Sequence, residues 1–255
     1  PQCTRAVGGL AHYLEDEGIA TTQISLIRKH SEEIKPPRAL AVPFELGRPF
    51  GAPNEPAFQR RVLRDCLDLL NRESGPVLED FPDAPPGADE EQHGWACPVN
   101  FPEPTVDLSD EDLLRQALEQ EIALLRPWYE QSKANRNDRT NFGISGKSPE
   151  EIAAFLAKMV VMREDTPPPI EGLPLGPGHK RLDDDLRNYY FEAAIARPDS
   201  HASDLEIANW LFGETMLGKT LIAIRDWAMD SEEPSIKPMA LRFLPTHQRH
   251  RGRHG

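Results

Sequence analysis

Cys3-Thr4-Arg5 is the segment of this chain whose residue types and spacing point most directly to chemistry. A helical pattern follows it. A cysteine ahead of a helix N-terminus sits where backbone N–H groups and the helix dipole favour the thiolate, and a neighbouring Arg5 lowers the thiol pKa further. Glu45 and Arg48 form a second candidate group. They follow the C-terminal end of an apolar strand, where open α/β sheets place ligand contacts, and an arginine there can hold a carboxylate bidentately. An ion pair between these two neighbours that fixes the loop is the structural alternative. Cys97, in the apolar island Trp95-Ala96-Cys97-Pro98, is the candidate second thiol, with burial of Trp95 against the domain as the plainer reading. Cys66 lies on the apolar stripe of a helix, and so reads as an inert core thiol.

The elements that position these residues are legible in outline. Val7, Leu10, Ala11 and Leu14 recur at helical spacing, with Thr4 as N-cap and Gly18 as the left-handed stop. Residues 19–27 and 39–44 read as strands. Pro36-Pro37 between them speaks against a helical crossover and for an extended entry into the second strand. Residues 54–72 form a charged amphipathic helix carrying Phe58, Val62, Cys66, Leu69 and Leu70 on one side. Helix, strand, loop, strand is half of an open α/β sheet, and its missing half is expected upstream of residue 1.

The remainder reads as helical. Residues 74–104 are proline-rich and acidic, a linker or surface loop. Ser109-Asp110-Glu111-Asp112 is a capped, acid-rich start to a helix that runs to Pro127, residues 140–145 suggest a short strand, and Ser148-Pro149-Glu150-Glu151 opens a helix with a capping box. Helices follow over 182–196 and 203–228. Asp183-Asp184-Asp185 reads as a charge run at a helix N-terminus rather than a metal cluster. Gly213-Glu-Thr-Met-Leu-Gly218-Lys219-Thr220 fits the phosphate-loop spacing, but a helix precedes it, little chain follows, and Glu214 would face the phosphates. One continuous helix with two close-packing glycines is expected there. His247, His250 and His254 belong to a basic tail, residues 243–255, expected to be disordered. The organisation is therefore an α/β half-domain (1–73), a proline-rich segment (74–104), a mainly α-helical region (105–242) and the tail.

Composition narrows the partners. The 255 residues carry 42 Asp plus Glu against 29 Lys plus Arg, a formal charge of −13. That argues against nucleic acid or an anionic membrane surface. No apolar run approaches the ~20 residues of a membrane span. Three cysteines, at 3, 66 and 97, make no secreted disulfide framework, which points to a reducing cytoplasm. No Cys/His spacing suggests zinc, and neither a metal nor another cofactor is expected.

Cys3-Thr4-Arg5, the helix to Gly18-Ile19, the following strand and a second strand closing on Pro43 with Leu46-Gly47-Arg48-Pro49 resemble the C-terminal end of the selenoprotein B family. That family comprises the large subunits of glycine, sarcosine and betaine reductases and is related to the proline reductase selenoprotein. The resemblance covers about residues 2–72. It implies a thiol- or selenol-dependent reductase that cleaves an amino acid or amine derivative and is restored by dithiol–disulfide exchange. It makes Cys3 the attacking or resolving thiol, Arg5 its activator and Arg48 the group that orients an anionic substrate, with Glu45 beside it. The partners it implies are a small-molecule substrate and a partner reductase subunit or thiol carrier protein. Ala6 stands where many members carry a second cysteine, and the upstream redox position falls before Pro1. Those departures keep a second expectation open, a non-catalytic binding or scaffold protein that retains the reductase fold.

Overall fold

The structure is a computed structural model, and it describes residues 2–44, 47–84, 99, 101, 107–196, 202–245, 248 and 250–252. The chain divides into two compact units, Pro1–Glu91 and Gln92–Gly255. Among the described residues no helix is long and apolar enough to cross a membrane.

The first unit is α/β. Helix α1 (Gln2–Asp16) leads to β1 (Gln23–Ser25), α2 (Arg28–Ile34), β2 (Arg38–Ala41), α3 (Pro56–Asp68) and β3 (Val77–Asp80). The three strands are parallel in the order β1-β2-β3, with Gln23 opposite Ala39 and Ala39 opposite Leu78. All four residues of β2 are buried, as a central strand covered on both faces requires. Beneath it Leu40, Val42, Phe44, Val62, Cys66, Leu69 and Phe81 form the core, and the rings of Phe44, Phe58 and Phe81 meet at centroid distances of 5.6–5.7 Å.

Three expectations are corrected here. The first strand is only three residues long because residues 28–34 turn helical, so β1 and β2 are joined by a crossover helix after all. The prolines restrict only themselves and the residue before each. Lys35 takes the left-handed conformation at φ 53 and closes α2 ahead of Pro36, leaving the upstream residues free to be helical. Second, Val77–Asp80 lies inside the stretch read as linker, yet it pairs with β2 as the third strand. Proline enrichment around it concealed a run of four pairing residues. Third, α1 spans Gln2–Asp16, which puts Thr4 within its first turn rather than at the cap, and of its apolar stripe Ala11 is buried while Val7 and Leu10 are exposed. The Gly18 stop is as expected: φ is +81, and Ile19 N–H donates to Leu14 O at 2.9 Å.

The second unit is helical: α4 (Glu111–Asn135), α5 (Pro149–Met162), α6 (Leu175–Ala194), α7 (Asp204–Glu214), α8 (Met216–Asp230) and α9 (Ala240–Phe243). Leu114, Leu118, Ile122 and Leu125 of α4 are fully buried against Ile152, Leu156 and Met159 of α5 and against Leu182, Leu186, Tyr189 and Tyr190 of α6. Ser148 and Ser203 each start a helix with a complete capping box.

The helix boundaries differ from the expected ones for identifiable reasons. Within the expected capped start Ser109-Asp110-Glu111-Asp112, Asp110 is the cap of α4, accepting from Leu113 N–H at 3.0 Å. The helix continues through Pro127 to Asn135, since Tyr129 two residues later is anchored against Tyr189 at 4.4 Å between centroids. Residues 140–145 form no strand. Their backbone is held by carboxylates of α6, with Asn141 N–H donating to Glu192 at 2.7 Å and Ser145 N–H to Asp185 at 2.7 Å. Since α6 begins at Leu175, the three aspartates sit in its middle instead of at its start. Residues 203–228 are two helices, broken at Thr215. The tail is docked where it is described: Gln248 is fully buried and donates to Asn209 at 2.9 Å.

Two glycines give opposite expected responses to alanine. A Cβ on Gly218 would lie 2.0 Å from Leu211 O, whereas one on Gly9 would meet nothing within 4 Å. Urea denaturation should therefore show Gly218→Ala destabilised by about 2–3 kcal/mol from forced separation of α7 and α8. Gly9→Ala should be stabilised by about 0.5–1 kcal/mol from the helix propensity gained.

Candidate functional site

Cys3 is the second residue of α1, in the turn whose backbone N–H groups have no intrahelical acceptor. Two turns of this helix are fixed by contacts with its neighbours. Arg5 forms an ion pair with Glu33 in the last turn of α2, and His12 Nε2 lies 3.1 Å from Ile34 O. At the other end Glu15 bridges to Arg38 at the start of β2 at 2.7 Å. The Thr21 backbone N–H, joined by its hydroxyl and by Arg38, holds the Glu15 carboxyl below the usual range. The guanidinium of Arg38 also donates to Arg72 O, at 2.9 and 3.0 Å, so one buried cation ties α1, β2 and the chain after α3 together.

The parallel strands place their carboxyl ends along one edge, where sheets of this kind present ligand-binding loops. Ser25, Ala41 and Asp80 close the three strands there. Arg28, opening α2 after β1, forms an ion pair with Asp80 at the end of β3, and Arg61 pairs with Asp83 just beyond it. Arg48 lies exposed in the turn after β2, in which Gly51 N–H donates to Arg48 O at 2.9 Å. Arg48 thus follows the middle strand in the chain, seven residues beyond Ala41, while Arg5 is engaged with α2. Glu45 and Cys97 lie outside the described residues, as does Trp95. Cys66 is buried in the core, its thiol pushed up by burial and eased by the Thr22 hydroxyl, which removes it from thiolate chemistry.

The helical unit carries its own polar centres. Asp183 is fully buried and pairs with Arg187 at 2.8 Å and Lys180 at 3.7 Å, and burial pushes its carboxyl up to about 6. Asp184 faces outward to the same two cations, and Asp185 holds the 144–145 backbone. Three consecutive carboxylates therefore point three ways. Among the described residues no group of three or more His, Cys, Asp or Glu side chains could hold a metal ion. A cleft of about 800 Å³ opens beside Trp227, Arg163 and Glu164, and its indole N–H donates to Glu164 at 3.0 Å.

Two buried groups were missed by sequence reasoning. His179 is fully buried, with the Phe243 ring edge-on at 4.5 Å, and neither ring nitrogen has a hydrogen-bond partner. Burial, with Lys180 and Arg187 nearby, pushes its pKa down to about 3. Glu121 stands on the core face of α4, three residues after Leu118 and four before Leu125, a signal that was visible in the sequence. Its carboxylate accepts from Met216 N–H at 2.7 Å, Leu217 N–H at 3.3 Å and Tyr190 OH at 2.9 Å. The GETMLGKT segment does start a helix with unpaired amides pointing outward from its N-terminus, but this protein's own carboxylate occupies them.

His179 makes a clean pH prediction. A histidine held neutral in the fold, with its pKa lowered from 6.5 to about 3, costs stability as pH falls through that interval, because only the unfolded chain takes up the proton. Comparing wild type with His179→Met by urea denaturation, the wild-type protein should lose about 3 kcal/mol more between pH 7 and pH 4. Equal losses in both would show that His179 has another way to accommodate the proton.

Comparison with family models, curated proteins and solved structures returns no match to the chain.

Proposed function

We propose that the chain is a thiol-dependent reductase resembling the glycine, sarcosine and betaine reductase B component, acting on an amino acid or amine derivative. The observation that supports this most is the position of Cys3 in the first turn of α1, where free amides and the helix dipole favour a thiolate. In this reading the Cys3 thiolate attacks one sulfur or selenium of an oxidised pair. A new bond forms to Cys3, the other chalcogen leaves with the bonding electrons, and a second thiol resolves the mixed species. The substrate's cleaved bond takes up two electrons, and the dithiol that supplies them ends as a disulfide. Arg48, on the loop after the central strand, orients the anionic group of the substrate, and a partner subunit or thiol carrier docked at this helix end supplies the dithiol.

The Arg5–Glu33 ion pair bears on the detail. A guanidinium already neutralised by a carboxylate lowers a neighbouring thiol pKa less than a free one. The helix N-terminus is then the main activator, and Glu33→Gln should make Cys3 more acidic. Ala6, in the position of a second cysteine in many family members, favours the alternative of a binding module that retains the scaffold.

Iodoacetamide alkylation resolved by peptide mass spectrometry separates the two. Cys3 should react with a pH midpoint about one unit or more below the free-thiol ~8.5, while Cys66 reacts slowly in the folded protein. A Cys3 midpoint at ~8.5 or above would remove the reductase reading and leave the binding module.

A further inference from the structure

We propose that the flank of α3 is a docking seam for an acidic amphipathic helix of a partner protein. Helix α3 carries two apolar stripes with the same spacing. Val62, Cys66 and Leu69 recur at intervals of four and three residues, and all are buried in the core of the α/β unit. Leu63, Leu67 and Leu70 repeat the pattern one residue later, and these are 44%, 48% and 39% exposed. Leu70 stands in the 3-10 turn Leu69–Asn71 that continues the helix. One residue is a rotation of about 100°, so the second stripe lies roughly a quarter turn from the core, where a neighbouring helix would pack. Single surface leucines need no explanation. Three at the four-three spacing of a coiled-coil seam describe a face suited to another helix.

The charges beside the seam select the kind of helix. Arg60 and Arg64, one turn apart, lie on the solvent side of the leucines, and both are exposed. Arg61 between them is paired with Asp83 and packs over the Phe58 and Phe81 rings. Among the described residues no carboxylate pairs with Arg60 or Arg64, although the chain carries 42 Asp plus Glu against 29 Lys plus Arg. The carboxylates of α3 itself, Asp65 and Asp68, lie further round the helix, away from the leucines. A second copy of α3 would bring two more arginines to the seam. A helix with aspartates or glutamates beside its apolar stripe gives each guanidinium a partner.

The seam is short. From Leu63 to Leu70 it spans about two turns, or about 10 Å, so the contact falls at the small end of protein interfaces and the complex is transient. The leucines supply the affinity, and the arginines supply the choice of partner. This inference goes beyond the reading of Cys3 and does not rest on it.

The probe is a lactam-bridged helical peptide of about 16 residues, with leucines at the four-three spacing and glutamates beside them. Its binding to the full chain is followed by fluorescence anisotropy at low salt, alongside a twin that has lysine at each glutamate. The glutamate peptide should bind saturably and about ten-fold more tightly than the lysine twin, and should lose most of that margin at ~0.5 M salt. Arg60→Glu combined with Arg64→Glu should reverse the preference, so that the lysine twin binds the more tightly. Leu67→Ser should weaken the glutamate peptide about ten-fold. These three positions are exposed, and should a variant fail to fold, the two peptides on the wild-type chain decide alone. Equal binding of the two peptides, no saturable binding of either, or a preference that survives the double charge reversal overturns the proposal. So does sedimentation of the wild-type chain as a dimer that Leu67→Ser dissociates, which makes the occupant a second copy of this chain.

Discussion

A carboxylate on the apolar face of a core helix has to be given hydrogen bonds or be expelled, and much of the helical unit is arranged around meeting that requirement for Glu121. Its flanking core residues, Leu118, Ile122 and Leu125, are fully buried, so the side chain cannot swing out to water without unpacking α4. Helix α8 supplies the donors by starting where it does, at Met216, with its first amides turned toward α4. That start in turn forces the chain out of helix at Thr215 and folds α7 back against α8. The approach is so close that residue 218 can have no side chain, since a Cβ would sit 2.6 Å from Phe212 Cα. Tyr190 completes the set, and its ring packs on Trp210 of α7 at 6.2 Å. One polar side chain thus dictates a helix boundary, a joint and a glycine.

The α/β unit has the same logic with a different ion. Arg38 opens the central strand and is nearly buried, and it is compensated by Glu15 from the end of α1 and by the Arg72 carbonyl after α3. A pair of this kind adds little net stability once desolvation is counted, but breaking it strands a charge in the interior. It fixes which end of α1 lies at the start of β2. The first turn of α1, with Cys3, is consequently held twelve residues up the helix from Glu15, about 18 Å away at 1.5 Å per residue.

What the sequence made legible was what depends on local chemistry. The Ser148 capping box, the Gly18 stop, the Cys66 core position and the acid-rich start of α4 are each decided within one turn of chain, and each is found in the structure. The misreadings share a cause: long-range partners overrode the local signal. Pro127 should end a helix, yet Tyr129 beyond it stacks on Tyr189 of another helix. The 140–145 run has strand-like composition, but its amides are spent on Asp185 and Glu192 of α6. Val77–Asp80 had too short a pattern to stand out from the prolines beside it, and becomes a strand because β2 offers it a ladder. Of the candidate site, that Arg48 follows a strand was legible from the chain order, while the engagement of Arg5 with Glu33 needed the fold of α2 to be known.

The GETMLGKT segment shows why a motif reports backbone geometry before it reports a ligand. Two glycines with four residues between them, followed by Lys and Thr, describe a chain that turns tightly into a helix with exposed amides at its start. Residues 213–220 do make such a turn, with Thr215 as the cap and Gly218 at a close approach. A phosphate-binding protein leaves that end open to a ligand and brings a sheet to its other side. Here α4 inserts a glutamate, and a tyrosine from α6 backs it. The anion that the helix start demands is therefore internal, and ATP or GTP would have to displace a buried, three-bonded carboxyl that belongs to the core. The pattern was right about the backbone, and the neighbouring helices decided what fills it.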